Sequence, residues 1–308
     1  LAMPIRFDAI PGGSFAFSDG NDIPKIGLGV SRIIDQEKMT NAVRAALSAG
    51  YRLFDTARIY KNEDMLGLAL KTALAELGLK REDIFITTKV LPVNEVPADF
   101  MELCIKESLE KLQTDYLDLV LVHYPRDVHN GNDDDERNGP IRKILWQKLE
   151  EIRSRGTIRS IGVSNFQIYH LDEMLDYAKV PPVLNQCEYH PYNIEKQLTR
   201  YCKKKGIVFQ AFSSLLWCHS SSDSSDIFTE PAVKAAAEKH RVSVQTILYS
   251  FALSTGIGII PKSETPARIS SNLHDTIKAV LTPDEQTALL ALNRSRLYCP
   301  GGKPSECI

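Results

Sequence analysis

The segment from Asp83 to Pro125 decides the fold. It reads DIFITTKV (83–90), then ADFMELCIKESLEKLQ (98–113), then YLDLVLVHYP (116–125). The first and third pieces are apolar and β-branched, the pattern of buried strands. The middle piece has helical period. Strand, helix and strand in this order make one parallel crossover unit. The first strand also raises a chemical question. Its apolar run ends on Lys89 with no polar buffer. Lysine is rarely buried unless it is paired.

The same alternation runs outward in both directions. Upstream lie a helix ending on Gly50, the strand YRLFDTA (51–57) and an amphipathic helix ending near Gly78. Downstream, strands such as IRSIGVSN (158–165), VLNQCEYHP (183–191), IVFQAFSS (207–214) and GIGIIPKS (256–263) alternate with helices. Taking IPKIGLGV (23–30) as the first strand, eight strand-then-helix units follow. The stretch before and into it has two short strand runs around Ser18, Asp19, Gly20 and Asn21, a hairpin signal. Eight units predict an α/β (β/α)8 TIM barrel. A doubly wound sheet is the rival, but no GxGxxG opens any helix. Composition does not shift along the chain, so one domain over 1–308 is expected. Two stretches break the rhythm, RDVHNGNDDDERNGP (126–140) and SSLLWCHSSSDSSDIF (213–228). They are expected as long loops on the C-terminal face, where barrels place their sites.

Composition narrows the function class. Of 308 residues, 43% are hydrophobic and 25% charged, with a formal net charge of -2. That balance gives no reason to expect nucleic acid or a membrane surface as partner. The longest apolar runs are too short to span a bilayer. Six cysteines are scattered without a CxxC pair, which reads as reduced thiols. Seven histidines show no metal-ligand spacing, so no metal is expected. No signal-peptide core opens the chain, and a cytoplasmic enzyme is the expectation.

The residue that ends each apolar strand carries the functional signal. These are Asp55, Lys89, His123, Ser164 with Asn165, Gln186, Phe212, and Pro261 with Lys262. They fall about one strand–helix unit apart, so in a barrel they converge on one mouth. Each alone has a structural reading. Asp55 could cap a helix, Lys89 could snorkel, and His123 could satisfy a backbone group. Together they describe a polar pocket. Tyr60 lies five residues past Asp55 in DTARIYKNE. A free phenol near pKa ~10 is a poor acid at neutral pH. A lysine beside it should lower that value, and an aspartate should keep the lysine charged. A histidine could donate a hydrogen bond to a carbonyl oxygen at the same point. Such a site polarises and protonates a carbonyl, and lacks only a hydride donor.

The motifs GYRLFDTARIYKNEDMLG, ITTKV, DYLDLVLVHYP, IGVSNF, NQCEYHPY and IPKSETPARISSN resemble the aldo-keto reductase superfamily, close to its aldose-reductase-like branch. The match spans nearly the whole chain, in order and at family spacing. The resemblance implies a (β/α)8 barrel with an N-terminal β-hairpin closing its base, and carbonyl reduction by a reduced nicotinamide. It implies that Tyr60 is the general acid, that Asp55 and Lys89 tune it, and that His123 orients the carbonyl. Ser164, Asn165 and Gln186 would bind the nicotinamide carboxamide, and Phe212 would stack on its ring. Ser213 and Leu215 would follow the diphosphate. Lys262, Ser263 and Arg268 would hold an adenosine 2'-phosphate, and Asn272 would meet adenine. A point charge and a planar fork suit a dianionic phosphate. NADPH is therefore the expected cofactor, with NADH the weaker alternative.

This chain also departs from the family pattern. The loop that usually reads YSPLG is FSSLL here, so Phe212 lacks a hydroxyl and Ser214 replaces a proline. Glu264 follows PKS, where its charge would repel a phosphate. Tyr124 stands where a tryptophan is common. Tyr124, Trp217 and Cys299 are the expected substrate-pocket residues, with the C-terminal stretch RLYCPGGKPSECI (296–308) as a further wall. The expected partner is a small-molecule carbonyl, and a monomer is usual for this branch. Two other classes compete with this reading: a nicotinamide-binding protein of the channel-subunit type, and an aldolase using Lys89 as a Schiff base.

Overall fold

The structure is a computed structural model and describes Phe7 and residues 9–129, 132–133, 135–216 and 226–299. A hairpin of β1 (Ser14–Ala16) and β2 (Asp22–Pro24) comes first, paired antiparallel. Eight parallel strands follow in sequential order: β3 (Gly27–Gly29), β4 (Leu53–Asp55), β5 (Phe85–Val90), β6 (Leu117–Val122), β7 (Ile158–Ser164), β8 (Leu184–Glu188), β9 (Val208–Phe212) and β10 (Gly258–Ile259). Bridges Ile26 to Ile259 and Gly29 to Lys262, both parallel, join the last strand's segment to the first and close the ring. The expected first strand is shorter than its apolar run. Asp22–Pro24 belongs to the hairpin, and only Gly27–Gly29 enters the barrel.

Helices return the chain between strands: α1 (Gln36–Ala49), α2 (Glu63–Leu77), α3 (Phe100–Leu112), α4 (Asn138–Ser154), α5 (Ile168–Tyr177) and α6 (Lys196–Lys205). After β9 come α7 (Pro231–His240) and α8 (Val244–Ser254), and after β10 come α9 (Pro266–Lys278) and α10 (Pro283–Leu290). Gly50, Gly78 and Gly206 end helices in the left-handed region, where a Cβ is strained and glycine is not.

Two apolar layers follow from strand alternation. Outward residues Phe54, Ile86, Val120, Val122, Ile161, Val163, Phe209 and Ala211 join the large core against the helices. Inward residues Leu53, Phe85, Leu119, Leu121 and Leu184 form a second core inside the barrel, sealed by Phe7, Phe17 and Ile23. Phe17 meets Phe85 edge-on at 6.3 Å between ring centres, which seats the hairpin under the starts of the strands. Each fully buried side chain of this size contributes about 1.5–3 kcal/mol.

The same parity sets the site. Residues two apart on a strand share a face. Asp55 therefore shares the inward face with Leu53, Lys89 with Phe85 and Thr87, and His123 with Leu119 and Leu121. Gln186 and Glu188 follow Leu184 in the same way. The barrel is apolar at its base and polar at its mouth.

Candidate active site

Tyr60 ends a single 3-10 turn, Arg58–Tyr60, directly after β4. Arg58 ties the turn to α3, donating to the Cys104 carbonyl and to Glu107, each at 2.7 Å. Lys61 leaves it in the left-handed region at φ 53°. Buried Asn62 then donates to the Val30 and Ile33 carbonyls at 2.8 and 3.0 Å and accepts from Thr56 at 3.0 Å. Three separate segments thus fix where the phenol stands.

Lys89 is fully buried. Its Nζ lies 2.6 Å from Asp55 Oδ1, donates to the Thr56 carbonyl at 2.8 Å, and sits 5.1 Å from the centre of the Tyr60 ring. Burial pulls an ammonium down, but the Asp55 and Tyr60 oxygens outweigh it, and Lys89 ends above its ordinary value. It stays charged. The other Asp55 oxygen accepts from Gln186 Nε2 at 2.8 Å, and that nitrogen also donates to Gln210 Oε1 at 2.8 Å.

The sequence reading has Lys89 lowering the Tyr60 phenol, and its charge does act in that direction, but burial acts more strongly the other way. Burial raises Tyr60 above its ordinary value, and the Lys89 charge and hydrogen bond offset only part of that rise. The phenol therefore holds its proton at neutral pH, and Lys89 limits how reluctantly it is given up. His123 stands edge-on to Tyr60, with ring centres 5.9 Å apart and planes at 80°. Burial, then the Lys89 charge, push His123 down to about 3. Its imidazole is neutral and offers a single N–H.

A cavity of about 390 Å³ opens at this mouth, and Asp55, Tyr60 and His123 line it. Ser164, Asn165, Gln186, Phe212, Ser213, Leu215 and Lys262 line it as well. Ser164 Oγ donates to the Gln186 carbonyl at 2.8 Å, and Asn165 Nδ2 donates to the His123 carbonyl at 2.9 Å. Asn165 and Ser213 are held at φ 64° and 52°, conformations that cost a non-glycine residue energy and so mark over-determined positions. The Gln186 amide nitrogen is engaged by Asp55 and Gln210, which leaves Oε1 as its atom for a ligand.

The expected phosphate end is more dispersed. Lys262 Nζ lies 2.6 Å from Glu264, and Lys38 lies 3.1 Å from the other Glu264 oxygen. Their hydrogen bonds hold the Glu264 carboxyl below its usual range. Buried Ser263 accepts from the Thr265 amide at 3.1 Å. Arg268 and Asn272 are one turn apart on α9 and so share a face. Neither lines the cavity. Of the expected pocket residues, Tyr124 and Cys299 line the cavity, and Trp217 lies outside the described residues. The acidic stretch after β6 is a tied loop where it is described. Asp127 accepts from the Asn94 and His129 amides at 3.2 and 2.8 Å, and Arg126 pairs with Asp133 at 2.5 Å.

Leu297, in the expected C-terminal wall, lines the cavity too, and so do Glu188 and Tyr249, which the sequence did not single out. Glu188 had a legible signal, two residues past Gln186 on the same inward face. Tyr249 had none, because a helix brings it in.

A nicotinamide dinucleotide needs amide partners, an apolar ring face and cationic groups. Asn165 and Gln186, Phe212 and Lys262 supply these types on one cavity, so the residues present fit it. Among the described residues, no cluster of three or more His, Cys, Asp or Glu could hold a metal. No helix among them is long and apolar enough to cross a membrane.

The sequence profile of the aldo/keto reductase family matches residues 25–294. Glyoxal reductase of Bacillus subtilis is 38% identical over 94% of this chain and 95% of its own length. Aldo-keto reductase family 1 member A1 of Gallus gallus is 35% identical over 92% of this chain and 89% of its own. A crystal structure of an aldo-keto reductase enzyme from a Medee basin deep-sea metagenome library superposes with a TM-score of 0.80 at 31% identity, over 92% of this chain and 96% of that one.

Proposed function

This chain belongs to the aldo/keto reductase family, an oxidoreductase acting in carbonyl reduction, and from that premise we propose that it reduces an aldehyde or ketone to an alcohol with NADPH and Tyr60 as general acid. The observation that carries this reading is the relation of Tyr60 to Lys89, 5.1 Å from ring centre to ammonium, with His123 edge-on beside it.

Aldo-keto reductases in general use NAD(P)H, and the nicotinamide, when bound, supplies the hydride. The chain's own residues do the rest. Asn165 and Gln186 hold the carboxamide, and Phe212 covers the ring. Lys262 and Arg268, with Ser263, take the 2'-phosphate, while Ser213 and Leu215 follow the diphosphate and Asn272 the adenine. Tyr60 and the neutral His123 N–H point two donors at one carbonyl oxygen. Tyr60 gives its proton as negative charge develops there, and buried Lys89, held charged by Asp55, stabilises the phenolate left behind. A neutral histidine suits this role, since a charged one beside Lys89 would repel it. Tyr124 and Cys299 form part of the substrate wall. The same reading has the chain acting as a single-domain cytoplasmic monomer on small carbonyls, with no nucleic acid or membrane partner.

The aldolase alternative needs a lysine free to meet substrate. Lys89 is buried and committed to Asp55 and the Thr56 carbonyl.

The test is loss of reduced-nicotinamide absorbance with aldehydes, quinones and α-dicarbonyls. The name of the Bacillus subtilis relative puts glyoxal first in that panel. Tyr60→Phe should cut kcat by about 100-fold or more while NADPH still quenches protein fluorescence. A near-wild-type rate in that variant overturns the assignment.

A further inference from the structure

The last described residues are fastened across the mouth at two points. The Arg294 and Arg296 amides donate to the Tyr192 carbonyl at 3.1 and 3.2 Å, and the Arg294 guanidinium lies 3.8 Å from the centre of the Tyr192 ring. Further on, the amides of Tyr298 and Cys299 donate to the two Glu188 oxygens at 2.6 and 2.8 Å. Glu188 is 3% exposed, at the end of β8. His190, 1% exposed, places its Nε2 2.8 Å from the same carboxylate. The Tyr298 ring packs on His190 and Tyr192, at 5.6 and 6.2 Å between centres. Leu297 and Cys299, on either side of it, line the cavity with Tyr60 and His123.

A buried carboxylate needs donors. Here two of them are backbone amides of a segment more than a hundred residues away in sequence. Neither donor depends on side-chain identity, so the contact fixes the path of the segment and leaves its side chains free to shape the wall. Leu297 and Cys299 line the cavity from this segment, so a contact that fixes its path bears on where the wall stands relative to Tyr60 and His123.

We propose that Glu188 is a positioning residue for substrate: its carboxylate clamps the Tyr298–Cys299 backbone and so holds the Leu297 and Cys299 wall against the carbonyl at Tyr60 and His123. The proposal rests on the reductase reading of this cavity. Glu188 gives no proton to the reaction and does not bind the cofactor. It acts through the segment it holds.

The test compares wild type with Glu188→Gln, in which one of the two accepting oxygens becomes an NH2 donor that faces a backbone N–H instead of accepting from it. KM for a small α-dicarbonyl should rise about tenfold or more, with kcat changed less, because misplacing a substrate wall by about 1 Å is costly. NADPH affinity by fluorescence should stay within about twofold, since the carboxylate's hydrogen bonds go to Tyr298, Cys299 and His190, and Phe212 is Glu188's neighbour through the strand backbone alone. The same loss should follow from the other side of the contact. Cys299→Pro removes the amide hydrogen that Cys299→Ala keeps, so Pro should raise KM well beyond Ala. This pair also decides the matter if Glu188→Gln does not fold. In a chain ending at Arg296, Glu188→Gln should cause no further rise in KM, because neighbours acting through one contact are not additive. Additive losses in the shortened chain, equal KM for Cys299→Pro and Cys299→Ala, or a matching loss of NADPH affinity would each overturn the clamp. Tyr60→Phe run alongside separates the readings. If it stays active, the reductase assignment of the cavity fails, whatever Glu188 does.

Discussion

Lys89 and Asp55 meet at 2.6 Å with neither side chain more than 3% exposed. Removing one partner of such a pair leaves an uncompensated buried charge, which costs about 3–5 kcal/mol. Lys89→Met should therefore lower Tm clearly yet keep a cooperative transition, since the rest of the barrel core is untouched. It should also remove most activity, because nothing then stabilises a Tyr60 phenolate. Adding Asp55→Asn should recover part of the lost stability and none of the rate. Calorimetry and turnover on the two variants check this. Recovery of both together would show that the pair matters only for folding.

The pH profile should carry no ordinary histidine limb. His123 is pushed down to about 3 and Tyr60 lies above its ordinary value. kcat/KM for reduction should be flat across neutral pH and fall only as Tyr60 loses its proton, above the usual tyrosine value of ~10. A limb near ~6.5 that disappears in His123→Asn would count against a neutral imidazole. The stability sign follows from the same shift. The unfolded chain binds a proton at histidine first as pH falls. The stability due to neutral His123 is thus complete above ~6.5 and is lost progressively toward about 3. Between pH 7 and pH 4, His123→Asn should lose less Tm than wild type.

Gly67 marks a contact that its own sequence hides. A Cβ there would lie 2.3 Å from the Lys111 carbonyl oxygen and 2.7 Å from the Leu112 backbone, where α2 crosses the end of α3. Ordinarily, glycine to alanine inside a helix is favourable by up to about 1 kcal/mol. Here the clash is with backbone, which cannot rotate away, so Gly67→Ala should destabilise by about 1–3 kcal/mol net. Urea unfolding should show a lower midpoint with an unchanged slope. A higher midpoint would mean that the helices separate at little cost.

Gly67 shows where sequence reading stops. Strand order, parallel pairing and the inward placing of Asp55, Lys89, His123 and Gln186 follow from alternation and unit spacing, which are local and periodic. What α2 touches is not periodic, and glycine alone does not announce a crossing. Tyr60 was legible as a neighbour of Asp55, but its pKa direction was not, because burial depends on every element packed around it. Tyr249 reaches the cavity from a helix with no motif of its own, whereas Leu297 comes in with the terminal stretch that already carried Cys299. Glu188 was within reach, two positions past Gln186, but its long-range partners are the backbone amides of Tyr298 and Cys299, which have no sequence signature.

Glu264 should govern cofactor choice by competing for Lys262. Its carboxylate lies 2.6 Å from Lys262 and 3.1 Å from Lys38. For Lys262 to reach a 2'-phosphate it must leave that pair, and Lys38 remains to hold the carboxylate when it does. The pair is partly exposed, so its strength is modest, about 1 kcal/mol or less. Glu264→Gln frees Lys262 and removes a negative charge beside the proposed phosphate site. It should tighten NADPH by about three- to tenfold. NADH, which has no 2'-phosphate, should change little. Lys262→Met should do the opposite, weakening NADPH much more than NADH. Titrating both cofactors by fluorescence quenching on both variants reads the effect directly. Equal shifts for NADPH and NADH would move the phosphate site away from Lys262 and leave the Glu264 pair a surface feature.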